Sequence, residues 1–175
     1  MSMHNAPKIH KSKTGEIKRQ RRRRGHGCWD HIIVAPLWPK YGINLGTLLR
    51  TCDAVGACMA VPKFSWVPEA LDRGNRIKPS ASCIHWVRDP IRWLSEQKNT
   101  RILGVELADD AIRLADLQPA RERTVVVLGN ERDGIPPEAL SLLHGVVEIP
   151  MIGTGDSLNV AVAGSIVLYK ISGMM

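Results

Sequence analysis

Three short segments carry side chains that could do chemistry. In Asn44-Leu-Gly46-Thr-Leu-Leu-Arg50 a guanidinium emerges from an otherwise apolar stretch. Its rigid, permanently charged fork suits a phosphate or an activated oxygen, and equally a structural ion pair. In Leu128-Gly129-Asn130-Glu131-Arg132-Asp133-Gly134-Ile135 a carboxylate sits between two glycines, directly after a run of valines. Glycines there let a ligand approach the backbone closely, although most such turns are only turns. Ile149-Pro150-Met151-Ile152-Gly153, followed by Ser157-Leu158-Asn159, repeats the arrangement. Asn159 stands in an apolar helical stretch and needs a hydrogen-bond partner if it is buried. His85 and His144 have no adjacent nucleophile that would make a triad, so they read as structural.

The elements that must position these groups alternate between β-rich and helical texture. Strands are expected at His31–Ala35, Cys58–Val61, Cys83–Val87, Arg101–Leu107, Thr124–Leu128 and Val146–Ile149. Helices are expected at Asn44–Val55, Pro90–Lys98, Pro137–Leu143 and Ser157–Ile171. Continuous apolar strands such as Val125-Val126-Val127-Leu128 imply burial on both faces, as in parallel sheets covered by helices. The fold class is therefore α/β with an open sheet, and ligands gather beyond the carboxyl ends of such strands. Asn44 is a favoured N-cap for the first helix, and Ser157 or Asp156 for the last. The last helix carries two apolar stripes, Leu158-Val162-Ile166-Tyr169 and Val160-Ala163-Val167-Ile171. It must be covered on more than one side, by a second subunit or by a single subunit's own core.

The charge is distributed unevenly along the 175 residues, which hold 24 Lys+Arg against 17 Asp+Glu for a net +7. Residues 1–25 hold nine Lys or Arg and one acid, Glu16, a charge of +8; the remainder, with 15 basic and 16 acidic residues, carries −1. Residues 1–27 thus read as a basic arm without hydrophobic periodicity, disordered when free, and residues 28–175 as the folded domain. Lys18, Arg19, Arg21, Arg22, Arg23 and Arg24 are the arm's densest cationic run, suited to an acidic partner such as a nucleic acid. No apolar run approaches the ~20 residues of a membrane span, and no apolar core follows the basic residues as in a secretory signal. Cys28, Cys52, Cys58 and Cys83 form no C-x-x-C pair and have no His at finger spacing, so no metal is expected. Dispersed cysteines suit a reducing, cytoplasmic setting. Gly153-Thr-Gly155-Asp-Ser-Leu158 fails the dinucleotide fingerprint at its third glycine, and no P-loop is present. Trp29, Trp38, Trp66, Trp86 and Trp93 could stack bases, but core packing suits most of them; Trp38 and Trp66, in Pro-flanked loops, are the ones expected to be exposed.

Taken in order, the three segments resemble the signature set of the SpoU/TrmH branch of the SPOUT RNA methyltransferases. The first is Asn44 to Thr51 with Ala54-Val-Gly56-Ala57, the second Val127 to Ile135, and the third Ile149-Pro150-Met151 with Ser157 to Ala163, running on to Leu168-Tyr169. Ser80-Ala81-Ser82-Cys83 with Trp86 is similar to a degenerate form of the family's small-residue segment. The resemblance covers about Asp30 to Lys170. It implies a parallel α/β sheet with a C-terminal trefoil knot, a feature nearly absent among other folds, and a homodimer. It implies S-adenosylmethionine held by Leu107, by Leu128, Gly129, Glu131 and Gly134, and by Ile149, Met151, Ser157, Leu158 and Asn159. It further implies methyl transfer to a ribose 2′-hydroxyl of RNA, with Arg50 central, reaching the partner's cofactor site. Asn44 and Glu131 would orient Arg50 and the loops, with Ser157 and Asn159 completing the site. Gly164-Ser165 departs from the family's run of small apolar residues, and Asp156 puts an acid beside Ser157. The organisation is closer to the family's minimal members, several of which act on transfer RNA, so transfer RNA is favoured over ribosomal RNA. The alternatives are a base methyltransferase of the same fold and a non-catalytic RNA-binding protein.

Overall fold

The computed structural model describes residues 31–73 and 83–175. The basic arm, Cys28, Trp29 and Ser80 to Ser82 lie outside the described residues. The strands are β1 Ile32–Pro36, β2 Cys58–Pro62, β3 Ile84–Val87, β4 Arg101–Val105, β5 Ile112–Arg113, β6 Thr124–Leu128 and β7 Gly145–Glu148. They form one sheet in the order β3-β2-β1-β6-β4-β7-β5, and every pairing is parallel. The helices are α1 Gly42–Val55, α2 Val67–Asp72, α3 Pro90–Ser95, α4 Pro137–Leu140 and α5 Val160–Ile171.

Side chains alternate between two cores, because successive strand residues point to opposite faces. Val34, Met59, Leu103, Val126 and Leu128 pack with residues of α1, α2 and α5 on one side. Ile33, Cys58, Ala60, Val125 and Val127 pack with Leu94 and Ala139, from α3 and α4, on the other. β1 and β6 are buried at every position, which is the physical reason their runs of β-branched residues are unbroken in the sequence.

Several boundaries differ from the sequence expectation. β4 ends at Val105 rather than Leu107, and α3 and α4 stop at Ser95 and Leu140. α1 begins at Gly42 with Tyr41 at its N-cap position, so Asn44 does not cap it; the Asn44 side chain is engaged elsewhere. α5 begins at Val160, and its cap is Asn159 rather than Ser157 or Asp156: the Asn159 side chain accepts from the N–H groups of Ala161 and Val162. Asn159 is thus at the helix end and exposed, not inside the helix. Trp66 and Trp86 are the more exposed tryptophans, while Trp38 packs partly buried against the second core. His144 is structural, its ring nitrogen Nδ1 accepting from the Ile102 N–H at 2.9 Å.

α5 is covered in two directions and open in a third. Val167, Leu168 and Ile171 are buried with Leu48, Leu49 and Leu117. The connection from β5 to β6 clasps the helix end, Ala120 N–H donating to the Ile171 carbonyl at 2.8 Å. Gly164 lets α5 settle onto Leu48 and Leu128, whose methyl carbons each lie 2.7 Å from where a Cβ would be. Beside it the Ser165 and Thr51 hydroxyls are 2.7 Å apart, tying α5 to α1. The departure at Gly164-Ser165 is therefore accommodated by close helix packing. Gly164→Ala is expected to overpack this contact and cost about 1–3 kcal/mol, read as a fall in the denaturation midpoint. The stripe of Leu158, Val162, Ile166 and Tyr169 is left half-buried or exposed.

Candidate active site

The carboxyl ends of β4, β6 and β7 open into a cleft of about 200 Å³. The sheet order explains its place: β6 lies beside β4 and β4 beside β7, so the loops that follow them emerge side by side. From the loop after β6, Leu128, Gly129, Glu131 and Gly134 line the cleft. From the stretch after β7, Ile149, Met151, Ser157 and Leu158 do so, and Leu107 forms part of the rim after β4. Asn159 faces an adjoining hollow shared with Tyr41, Asn44 and Glu131.

The loop after β6 is held by its own backbone and by a residue that sequence reasoning did not single out. Asn130 N–H donates to the Gly134 carbonyl at 3.0 Å. The Asn130 side-chain oxygen accepts from the N–H groups of Arg132 and Asp133 at 2.8 and 2.7 Å. Gly134 has φ +66°, a conformation that glycine adopts without strain. Its α-carbon faces the Glu106 carboxylate, which accepts from the Ile135 N–H at 2.9 Å. Glu106 thus fastens the loop after β6 to the end of β4. Its signal in the sequence was an acid immediately beyond a buried parallel strand, where sites form.

A second fastening joins all three signature segments. Asn44, buried in the first turn of α1, donates its amide N–H to Glu131 Oε1. Asn159 Nδ2 donates to Asn44 Oδ1 at 3.0 Å. Lys40 N–H donates to the other Glu131 oxygen at 3.3 Å. Asn44 is therefore both donor and acceptor in one relay, with partners 87 and 115 residues away. That relay, not helix capping, explains a buried asparagine in α1, since a buried amide must find partners for both ends.

Arg50 is not part of this relay. It lies six residues beyond Asn44, on a face about 120° away around the helix axis and ~9 Å along it. It is exposed and lines a separate groove with Thr47, Trp66, Glu69 and Arg73. Within one chain, the structure brings Asn44, Glu131, Ser157 and Asn159 together and leaves Arg50 on another side of α1.

The cleft's composition defines what fits it. Leu128, Ile149 and Leu158 offer apolar walls able to clasp a flat ring, and backbone groups of the loops border them. Glu106, Glu131 and Asp156 outnumber the single cation Arg132 among the lining side chains, so a cationic ligand is favoured over a polyphosphate. An adenosine bearing a sulfonium and an amino-acid tail has that character; its ring would rest on the apolar walls and its positive charge near the carboxylates.

Comparison with known proteins identifies the family. A tRNA (guanosine(18)-2′-O)-methyltransferase of Aquifex aeolicus is 32% identical over 134 residues, covering 73% of this chain and 62% of that protein. The protein of the same description from Escherichia coli K12 is 32% identical over 139 residues, covering 73% of this chain and 56% of its own length. The chain thus spans only about three-fifths of such relatives. Among solved structures, the A. aeolicus TrmH/SpoU tRNA modifying enzyme superposes with a TM-score of 0.70 at 25% identity, over 90% of this chain and 83% of that one. The AdoMet-bound rRNA methyltransferase of Sinorhizobium meliloti shares the fold, with a TM-score of 0.67 at 24% identity over 89% of this chain and 60% of that one. Residues 31–169, which hold the whole sheet, the cleft and the Asn44–Glu131–Asn159 relay, match the SpoU rRNA Methylase family, and the chain belongs to it.

Proposed function

We propose that this chain is an S-adenosylmethionine-dependent methyltransferase that modifies a ribose 2′-hydroxyl of RNA, with transfer RNA favoured over ribosomal RNA. The observation that carries the reading is the acidic, apolar-walled cleft whose loops are locked by the Asn44–Glu131–Asn159 relay. Family membership and the activities of the relatives support it. Leu107, Leu128, Gly129, Gly134, Ile149, Met151 and Leu158 would hold the adenosine. When bound, the cofactor supplies an activated sulfonium methyl group.

The protein's own part is to place the acceptor and to stabilise its developing charge. Arg50 suits the second task, because a guanidinium keeps its proton and cannot serve as a simple base. Asn44 and Glu131 fix the start of α1 against the cleft loops and so set the direction from which Arg50 is presented. Since Arg50 faces away from its own chain's cleft, it would serve a partner's. The half-exposed stripe Leu158-Val162-Ile166-Tyr169 beside exposed Ile43 and Tyr41 supports a homodimer through α1 and α5. The clasp of the β5–β6 connection over α5 supports the knotted reading of the C-terminal third. The setting would be cytoplasmic.

The decisive experiment incubates the chain with methyl-labelled cofactor and separate pools of transfer and ribosomal RNA. Label is expected in alkali-resistant dinucleotides from transfer RNA, because a 2′-O-methyl group blocks cleavage at that linkage. Label released as mononucleotides would instead mean base methylation, and no transfer to either pool would favour the non-catalytic alternative. Deleting residues 1–25 is expected to weaken RNA binding and flatten its salt dependence, as fewer counterions are displaced; an unchanged slope would remove the arm from the RNA interface.

A further inference from the structure

β2 and β3 lie side by side at one edge of the sheet, with Met59 level with Ile84 and Ala60 level with His85. Cys58 therefore stands next to Cys83, the two backbones joined by the Met59 N–H donating to the Cys83 carbonyl at 2.9 Å. His85, two residues further along, returns to the same face as Cys83. Both cysteines pack with the core beneath α3 and α4. Among the described residues, the ligand atoms of Cys58, Cys83 and His85 all lie within 4.8 Å of one another. The spacing of the cysteines along the chain gives no hint of this, because the third donor arises from strand pairing rather than from a C-x-x-C turn.

We propose that Cys58, Cys83 and His85 form a zinc site at the edge of the sheet, distinct from the cofactor cleft. The donor set is chemically apt: two thiolates and an imidazole suit zinc, with a fourth position left for water. The geometry is close to what binding requires. Zinc–sulfur and zinc–nitrogen bonds of ~2.3 and ~2.0 Å at tetrahedral angles place neighbouring donors ~3.5–3.8 Å apart. Cys83 Sγ and His85 Nε2 are already 3.6 Å apart, and the remaining donors, within 4.8 Å, need to close by at most about 1.3 Å. Cys83 and His85 are partly exposed, which provides an entry path, while Cys58 is buried and provides the inner ligand. Cys52 is not a candidate ligand: it packs in the opposite core, and burial pushes its thiol far up, keeping it protonated.

Binding would replace the two thiol protons by the metal, releasing two protons to solvent while the imidazole stays neutral. The site would staple β3 to β2, adding to the backbone ladder and to the packing of Ile84 and Val87 into the two cores. Its position is independent of the methyl-transfer site: the two cysteines stand at the amino-terminal starts of β2 and β3, whereas the cleft lies beyond the carboxyl ends of β4, β6 and β7.

The test uses the full chain, reduced and stripped of metal, titrated with cobalt(II) as a spectroscopic probe and then with zinc(II). One cobalt per chain is expected, with a sulfur-to-metal charge-transfer band and the visible bands of a tetrahedral site, bleached by zinc. Zinc at about a hundredfold excess over its dissociation constant is expected to raise the thermal midpoint by roughly 5–11 °C. C83S and H85A should each weaken cobalt binding at least tenfold, while C28S leaves the bands unchanged. Circular dichroism and cofactor binding serve as folding controls for the variants. The proposal is overturned if the reduced chain develops no thiolate–cobalt band, or if C83S and H85A bind cobalt like the parent. It is also overturned if Cys58 and Cys83 respond only by forming a disulfide in air.

Discussion

Arg50→Ala is expected to lower methyl transfer by about 10³-fold while leaving the cofactor's dissociation constant within about threefold. The separation of the two effects follows from where Arg50 stands. It contributes nothing to its own chain's cleft wall and lines the groove with Trp66 and Arg73, so its loss removes no contact with an adenosine held by the same chain. On the proposed reading, what would be lost is a positive charge beside the oxygen on which negative charge develops. Single-turnover rates and calorimetric cofactor titration measure the two quantities independently. Wild-type-like turnover would remove Arg50 from the chemistry.

The same variant tests the proposed exchange of residues between subunits. Glu131→Ala damages the relay that holds the cleft loops but leaves Arg50 intact. A mixed dimer of Arg50→Ala and Glu131→Ala chains contains one complete site if Arg50 acts across the interface. It should regain up to about half of the parent activity, whereas each variant alone stays inactive. Recovery in isolated heterodimers would place Arg50's action across the interface, because no complete site exists there if it acts within its own chain.

The second large effect is expected from Gly129→Ala. A Cβ there would be driven into the Gly134 carbonyl carbon and would lie 2.6 Å from both the Gly134 oxygen and the Ile135 nitrogen. These are backbone atoms that cannot swing aside. Gly134 is paired back to Asn130, and Ile135 is held by Glu106, so relief requires the whole loop to open. We expect about 3 kcal/mol of destabilisation, a midpoint lower by roughly 6–12 °C, and cofactor affinity reduced by about 10²-fold. Gly153→Ala and Gly155→Ala are the controls, because an added Cβ there meets nothing within 4 Å. If Gly129→Ala binds cofactor as well as those controls do, the loop is not the rigid cradle described.

Much of this architecture could be read before any coordinates, for reasons visible in particular residues. Thr124–Leu128 is buried at every position, so its sequence carries no polar interruption and its limits match the expectation to the residue. β5 is two residues long and has too little pattern to register. α2 was missed because Pro68 sits in its first turn and its apolar residues Val67, Ala70 and Leu71 span little more than one helical turn. The site followed the same logic. The loops containing Glu131 and Ser157 were marked by glycines and by their positions after strands. The pairing of Asn44 with Glu131 followed only from the family resemblance: residue pattern alone pointed to a helix cap, because the partners come from segments brought close by the sheet order. Glu106 was hidden for a similar reason: its partner is a backbone N–H, which every residue but proline possesses.

The clasp between Ala120 and Ile171 has a temporal consequence. The cleft needs the loop after β6, but its third wall is the stretch from Ile149 to Leu158, which leads into α5, the helix that the β5–β6 connection clasps at Ile171. During synthesis, all seven strands of the sheet therefore leave the ribosome before the third wall of the cleft exists. A nascent chain lacking α5 should expose Leu48, Leu117 and Leu128, all of which that helix helps to bury. Cofactor binding is then expected to stabilise only a chain that already carries α5.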